Sequence, residues 1–100
     1  MSAASVLFVE GELTIYRAAE LREMMLARVR QSAVLEMDLA GVSEIDTAGV
    51  QLLIMAKRSA AALGHELRLQ AHSPAVLEVF ELLNLAPLFG DPLVMLQPSA

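Results

Sequence analysis

Apolar and polar positions follow two rhythms along this chain, and each change of rhythm marks an element. Ser5-Val6-Leu7-Phe8-Val9 is a short β-rich run stopped by Glu10-Gly11-Glu12 and resumed by Leu13-Thr14-Ile15, which predicts a hairpin with Gly11 in its turn. From Arg17 the period lengthens. Ala18, Leu21, Met25 and Val29 recur at steps of three and four, with Glu20, Arg22, Glu23 and Arg30 on other faces, so an amphipathic helix is expected to end near Gln31-Ser32. Val34 to Leu39 is short and mostly apolar, as suits a central strand, and a loop is expected from Ala40 to Ile45. A second helix then runs from about Thr47 to Leu63, with Gly64 as its stop.

Glu66 to Ala71 alternates and reads as another strand. Ser73 before Pro74 is an N-cap followed by a first-turn proline, opening a third helix whose inner stripe is Val76, Leu77, Phe80 and Leu83, with Val79 beside it. Asn84 ends that helix, Leu85 to Phe89 add a helical turn, and Leu93 to Leu96 make a last edge strand after Gly90-Asp91-Pro92. The order is ββαβαβαβ. Alternation of this kind predicts an α/β fold with a mixed sheet of four to five strands and helices packed on it.

One hundred residues suit one domain over 1–100, with an ordered core about 5–96. The apolar fraction of 56% provides ample core material, built from Leu, Val, Ile, Met and Ala because aromatics are few. Seven basic residues against twelve acidic ones, with a single lysine, leave no basic patch for a phosphate backbone, so nucleic acid is not an expected partner. Cys is absent, which removes disulfides and thiolate chemistry. The start lacks the features of a secretory signal, and no run of about 18 apolar residues is present, so a cytoplasmic protein without membrane insertion is expected.

The informative segment is Leu39 to Val50, which joins the central strand to the start of the second helix. Functional loops of open α/β sheets lie at the carboxyl ends of strands, and a helix start offers free N–H groups and a positive dipole end. Local chemistry reads Asp46 as an N-cap, Thr47 as a first-turn residue and Gly49 as a point of close packing of helix on strand. The run Ile45-Asp46-Thr47-Ala48-Gly49-Val50, placed after Leu35-Glu36-Met37-Asp38-Leu39, resembles the signature of the STAS family, the sulfate transporter and anti-sigma factor antagonist domains. Gly11-Glu12-Leu13-Thr14-Ile15 and Ser73-Pro74-Ala75-Val76-Leu77-Glu78-Val79-Phe80 support the likeness, which extends from about Phe8 to Gly90.

The resemblance implies a non-enzymatic partner switch. In anti-sigma factor antagonists the hydroxyl residue after the Asp is phosphorylated by a cognate kinase that is also the binding partner, and here that position is Thr47. Asp46 matches the family's acid, while Gly49 and Val50 match residues at the partner contact. With Ala48, Gln51 and Ile54 they form the expected partner-binding set. Two departures stand out: Ala48 replaces a second hydroxyl found in many antagonists, and Gln51 stands where sporulation-type proteins carry Gly. The partner implied is an anti-sigma factor or a histidine-kinase-like ATPase. The likeness also reaches the STAS subunit of phospholipid-trafficking ABC transporters, which implies instead a constant contact with an ATPase subunit. Either leaves a homodimer open.

Within the second helix Gly49, Leu53, Ala56, Ala60 and Leu63 form an inner stripe. Val50, Ile54 and Met55 then either widen the buried face or form an exposed docking patch. His65 and His72 share no ligand spacing and read as surface residues, so neither a metal nor another cofactor is expected. No phosphate-cradling glycine loop or nucleophile elbow is present.

Overall fold

The computed structural model describes residues 4–85. Three strands, β1 (Ala4–Leu13), β2 (Val34–Ile45) and β3 (Glu66–Gln70), form a sheet in the order β1-β2-β3, and both pairs run parallel. A tight turn cannot join parallel neighbours, so helices make the crossings. A single 3-10 turn (Ile15–Arg17) leads into α1 (Ala18–Gln31), which precedes β2. α2 (Thr47–Ala62) joins β2 to β3, and α3 (Pro74–Leu82) follows and packs on β2.

The α/β class agrees with the alternation of the sequence, but the sheet does not have the expected form. Among the described residues it has three parallel strands, not a mixed four to five, and the order is βαβαβα. The expected hairpin at Gly11 is absent. β1 runs straight through Glu10-Gly11-Glu12, and two shifts of register, between Phe8 and Glu10 and between Gly11 and Glu12, absorb the polar interruption. Its far half pairs with Gly41 to Ile45, so the expected loop from Ala40 is the second half of β2. Each of these polar arms satisfies the other's backbone groups, which explains why neither is a loop. The expected elements at 86–89 and 93–96 lie outside the described residues.

Burial alternates along the first half of β1 and β2 and along β3. Leu7 and Val9, then Leu35, Met37 and Leu39, then Leu67 and Leu69 are buried. Val6, Phe8, Glu66 and Arg68 are exposed on the opposite side, with Glu36 and Asp38 half-buried there. Right-handed crossovers between successive parallel strands put α1 and α2 on one face, which suits this one-sided burial. Leu21, Met25 and Val29 of α1 and Leu53, Ala56 and Ala60 of α2 fill that face, and the two helices pack along each other. Each large aliphatic side chain so enclosed contributes about 1.5–3 kcal/mol.

Several side chains depart from the sequence expectation. Leu63 is half exposed and does not continue the inner stripe of α2; Val50 and Leu52 are buried instead. Ile54 and Met55 pack partly buried against the core, so they widen the buried face and do not form an open patch. In α3 only Val76 and Phe80 are fully enclosed, and Leu83 is exposed. His72 is not a surface residue. Ala71 takes a left-handed turn (φ 55°), and His72 is completely buried, edge-on to Phe80 with ring centroids 5.4 Å apart. His65 is half-buried, and its Nδ1 lies 2.8 Å from the Val29 carbonyl. Since a carbonyl only accepts, that nitrogen carries the proton.

The helix ends follow local chemistry. Ser73 Oγ accepts from the Val76 N–H at 3.2 Å, with Pro74 in the first turn. At the end of α2, Gly64 N–H donates to Ala61 O and His65 N–H to Ala60 O, the paired bonds of a Schellman motif. Asn84, at φ 54°, closes α3 in the same way, with Leu85 N–H donating to Phe80 O. Along β1, which like β3 has one neighbour among the described residues, the 3-10 turn and α1 each supply a guanidinium group. Arg28 Nη2 donates to Val6 O at 2.8 Å, and Arg17 Nη1 donates to Glu10 O at 2.7 Å and Glu12 O at 3.1 Å.

Candidate functional site

β2 ends at Ile45 and α2 begins at Thr47, so a single residue makes the corner. That residue, Asp46, has extended backbone (φ −119°, ψ −173°) and caps the helix: Oδ1 accepts from the Gly49 N–H at 3.0 Å. Its other oxygen, Oδ2, accepts at 3.0 Å from the N–H of Ile15, a residue of the 3-10 turn after β1. The Asp46 N–H donates to Leu13 O at 3.3 Å. One side chain and its own amide therefore tie the end of β1 to the start of α2. The backbone N–H groups of Ile15 and then Gly49 hold the Asp46 carboxyl below its ordinary value of 3.8, outweighing the opposing effect of partial burial.

Gly49 completes this junction. A methyl group on its Cα would run into the Leu13 carbonyl oxygen and come within 2.9 Å of Ile45 Cγ1. The packing role read from the sequence is thus the role the residue has here. Only glycine lets the first turn of α2 lie against the end of β1, and that approach brings the Asp46 carboxylate within reach of Ile15.

Of the expected partner-binding residues, Thr47 and Gln51 are exposed, Ala48, Ile54 and Asp46 are half-buried, and Gly49 and Val50 are buried. Both Asp46 oxygens accept from backbone N–H groups and Gly49 is buried, so these two shape the site more than they present a face. Thr47 stands at the first helical position, and among the described residues nothing hydrogen-bonds its hydroxyl. It is therefore a solvent-facing nucleophile-sized oxygen held at the positive end of a helix of 16 residues.

Three grooves lie around the start of α2, and Thr47 itself lines one of them. Between α1 and α2, Ala18, Arg22, Ala48, Gln51 and Met55 line a groove of about 510 Å³. On the other side, Val50, Val79, Leu82 and Leu83 line a smaller one of about 210 Å³ with Thr47 itself. Next to it, Tyr16, Glu44, Ile45 and Glu78 border a third of about 480 Å³. Sequence reasoning missed the contributions of Tyr16 and of α3. The available signal was Leu82-Leu83, two apolar residues beyond the stripe that Val76 and Phe80 complete.

The comparisons agree with this architecture. The family model described as "Mlab, STAS domain" matches residues 1–95. Among solved structures, the chain is similar to the anti-sigma factor antagonist SpoIIAA in its unphosphorylated form, at 23% identity and a TM-score of 0.69, covering 84% of this chain and 75% of that one. It is also similar to the Bacillus cell fate determinant SpoIIAA in the phosphorylated form, at 21% identity and a TM-score of 0.66, covering 87% and 80%. A crystal structure of Mglu matches at 20% identity and a TM-score of 0.60, over 69% of this chain and 17% of that one. No curated protein matches the sequence. Parallel strands, a one-residue corner capped by Asp46, and a family match spanning nearly the whole chain lead to one assignment: the chain belongs to the STAS domain family.

Proposed function

We propose that the chain is a non-enzymatic regulatory binding protein of a partner-switching system. Its partner is an anti-sigma factor or histidine-kinase-like ATPase that docks over the start of α2, and phosphorylation of Thr47 weakens the docking. The observation that carries this reading is the exposed Thr47 hydroxyl on the first turn of a helix fixed from behind by Asp46 and Gly49. The likeness to a fold solved in both unphosphorylated and phosphorylated forms supports it. A phosphothreonine adds about −1.5 to −2 charges, which the helix dipole tolerates in the free protein. Against a partner surface without a cation it costs several kcal/mol of desolvation, and a net loss of about 3 kcal/mol weakens affinity roughly a hundredfold. The test is incubation with the cognate kinase and ATP, mapping of the modified residue by mass spectrometry, and affinity measurement on Thr47→Glu. Label on Thr47 and a roughly hundredfold loss are expected; an unlabelled Thr47, or undiminished binding by Thr47→Glu, overturns the switch.

A second reading makes the chain a constitutive STAS subunit of a phospholipid-trafficking ABC transporter, docked on the ATPase subunit. Ala48, which removes the second hydroxyl, favours it, and the matching family model is described by Mlab, not by an anti-sigma factor antagonist. In that case Thr47 is a constant hydrogen-bonding contact. Co-purification with an ABC ATPase in a complex unaffected by phosphatase would select this reading over the first.

A further inference from the structure

The two grooves beside α3 share Ile45, Asp46 and Val79 in their walls and adjoin as two chambers of a cleft. Its larger chamber, about 480 Å³, lies between the 3-10 turn, the end of β2 and α3; its smaller chamber, about 210 Å³, lies between α3 and the start of α2. The two most exposed large apolar side chains of the described residues border it. Tyr16, 89% exposed, stands at the larger chamber, and Leu82, 75% exposed, stands at the smaller one beside Leu83. Such side chains gain most by being covered.

Charge divides the chambers. Glu44 and Glu78 border the larger one, no Lys or Arg lines either, and neither carboxylate has an ion-pair partner among the described residues. Nearby cations are committed elsewhere: Arg17 and Arg28 lie along β1, and Arg68 pairs with Glu36 and Glu66. The smaller chamber is apolar apart from Asp46, whose oxygens are both engaged, and the Thr47 hydroxyl. An aromatic face with two carboxylates suits a guanidinium, and the adjoining apolar chamber suits an aliphatic side chain. A net charge of −5 and an acidic rim oppose an anionic lipid surface and favour a cationic protein segment.

We infer that this cleft seats a segment of a protein partner carrying an arginine beside a large aliphatic residue. The arginine lies between Tyr16, Glu44 and Glu78, and the aliphatic side chain lies against Leu82, Leu83 and Val50. The inference rests on the reading that a protein partner docks at the Thr47 end of α2, and it gives that partner a chemistry. It also gives the switch a physical site: Thr47 lines the smaller chamber, so a phosphate on it competes with the aliphatic side chain for that space.

The test titrates the ¹⁵N-labelled 100-residue chain with the dipeptide acetyl-Arg-Leu-amide and, in parallel, with acetyl-Glu-Leu-amide, following amide chemical shifts. Saturable shifts centred on Tyr16, Glu44, Glu78, Leu82 and Leu83 are expected with the first dipeptide only. The double variant Glu44→Gln/Glu78→Gln, both surface positions, should fold normally and bind about tenfold more weakly. An equal response to the acidic dipeptide, shifts centred on Glu36 and Asp38 of the open sheet face, or no saturable shift overturns the inference. So do contacts from Leu88 or Phe89 to Leu82 and Leu83, which would make the chain's own later segment the occupant. Binding of the cognate ATPase by Thr47→Glu separates the two claims. Undiminished ATPase binding with an intact dipeptide response overturns the switch and keeps the cleft; Thr47-dependent ATPase binding without a dipeptide response does the reverse.

Discussion

The two ends of α2 carry similar sequence signals and are built on different physics. At the C-terminal end Gly64 sits at φ 74° with nothing within 4 Å of where a side chain would point, beside the half-exposed Leu63. That glycine answers only to its own backbone. At the N-terminal end Gly49 is held by a carbonyl of another strand, and Asp46 serves its own helix and the turn after β1 at once. Both glycines are equally visible in the sequence, yet only one holds the tertiary structure together. The site has formed at the end where long-range contacts leave the backbone no freedom, which keeps the Thr47 hydroxyl in one place.

This contrast can be broken from its strong side first. Gly49→Ala should cost about 3 kcal/mol in urea unfolding, because a strand carbonyl must retreat from the new methyl group. A loss under 1 kcal/mol would show that the junction yields easily. Asp46→Asn should lower the thermal midpoint by on the order of 5 °C at neutral pH, since an amide can cap Gly49 but must turn an N–H toward the Ile15 N–H. The folded carboxyl binds its proton less readily than the unfolded one, so its contribution is present above the ordinary value of 3.8 and is lost as pH falls through the lower folded value. The gap between the two proteins should therefore narrow below pH 3.8; a gap independent of pH would remove the charged clamp.

Gly64→Ala should cost about 1 kcal/mol, the strain of a left-handed alanine with no clash added. A cost equal to that of Gly49→Ala would erase the difference between the two ends. Smallest of all, Thr47→Glu should change stability by no more than about 0.5 kcal/mol by calorimetry, because the side chain faces solvent. A larger loss would make Thr47 a structural residue and disqualify it as a switch.

Much of the helical structure was legible because helices obey local rules. The Asp46 cap, the Gly64 stop, the Ser73-Pro74 start and the Asn84 end all depend on residues within one turn, and all stand as read. The strands were less legible beyond their apolar halves. Glu10 to Leu13 and Gly41 to Ile45 look like turn and loop because each finds its pairing partner some thirty positions away. His72 looked exposed because it lies in the short loop before α3, while the left-handed Ala71 that precedes its burial has no local sequence mark. The candidate site divides in the same way. Thr47 and its cap were visible, whereas the inward commitment of Asp46 and the contribution of α3 arise only where distant segments meet.

Arg17 of the 3-10 turn and Arg28 of α1, both laid along β1, have a consequence for how this strand meets other chains. An open strand normally offers carbonyls as a template on which a foreign strand can grow, the usual beginning of runaway association. Here three of those acceptors, on Val6, Glu10 and Glu12, are already spoken for by the chain itself. A foreign strand therefore gains little by pairing backbones at those three positions, and this stretch of β1 is a poor seed for such growth.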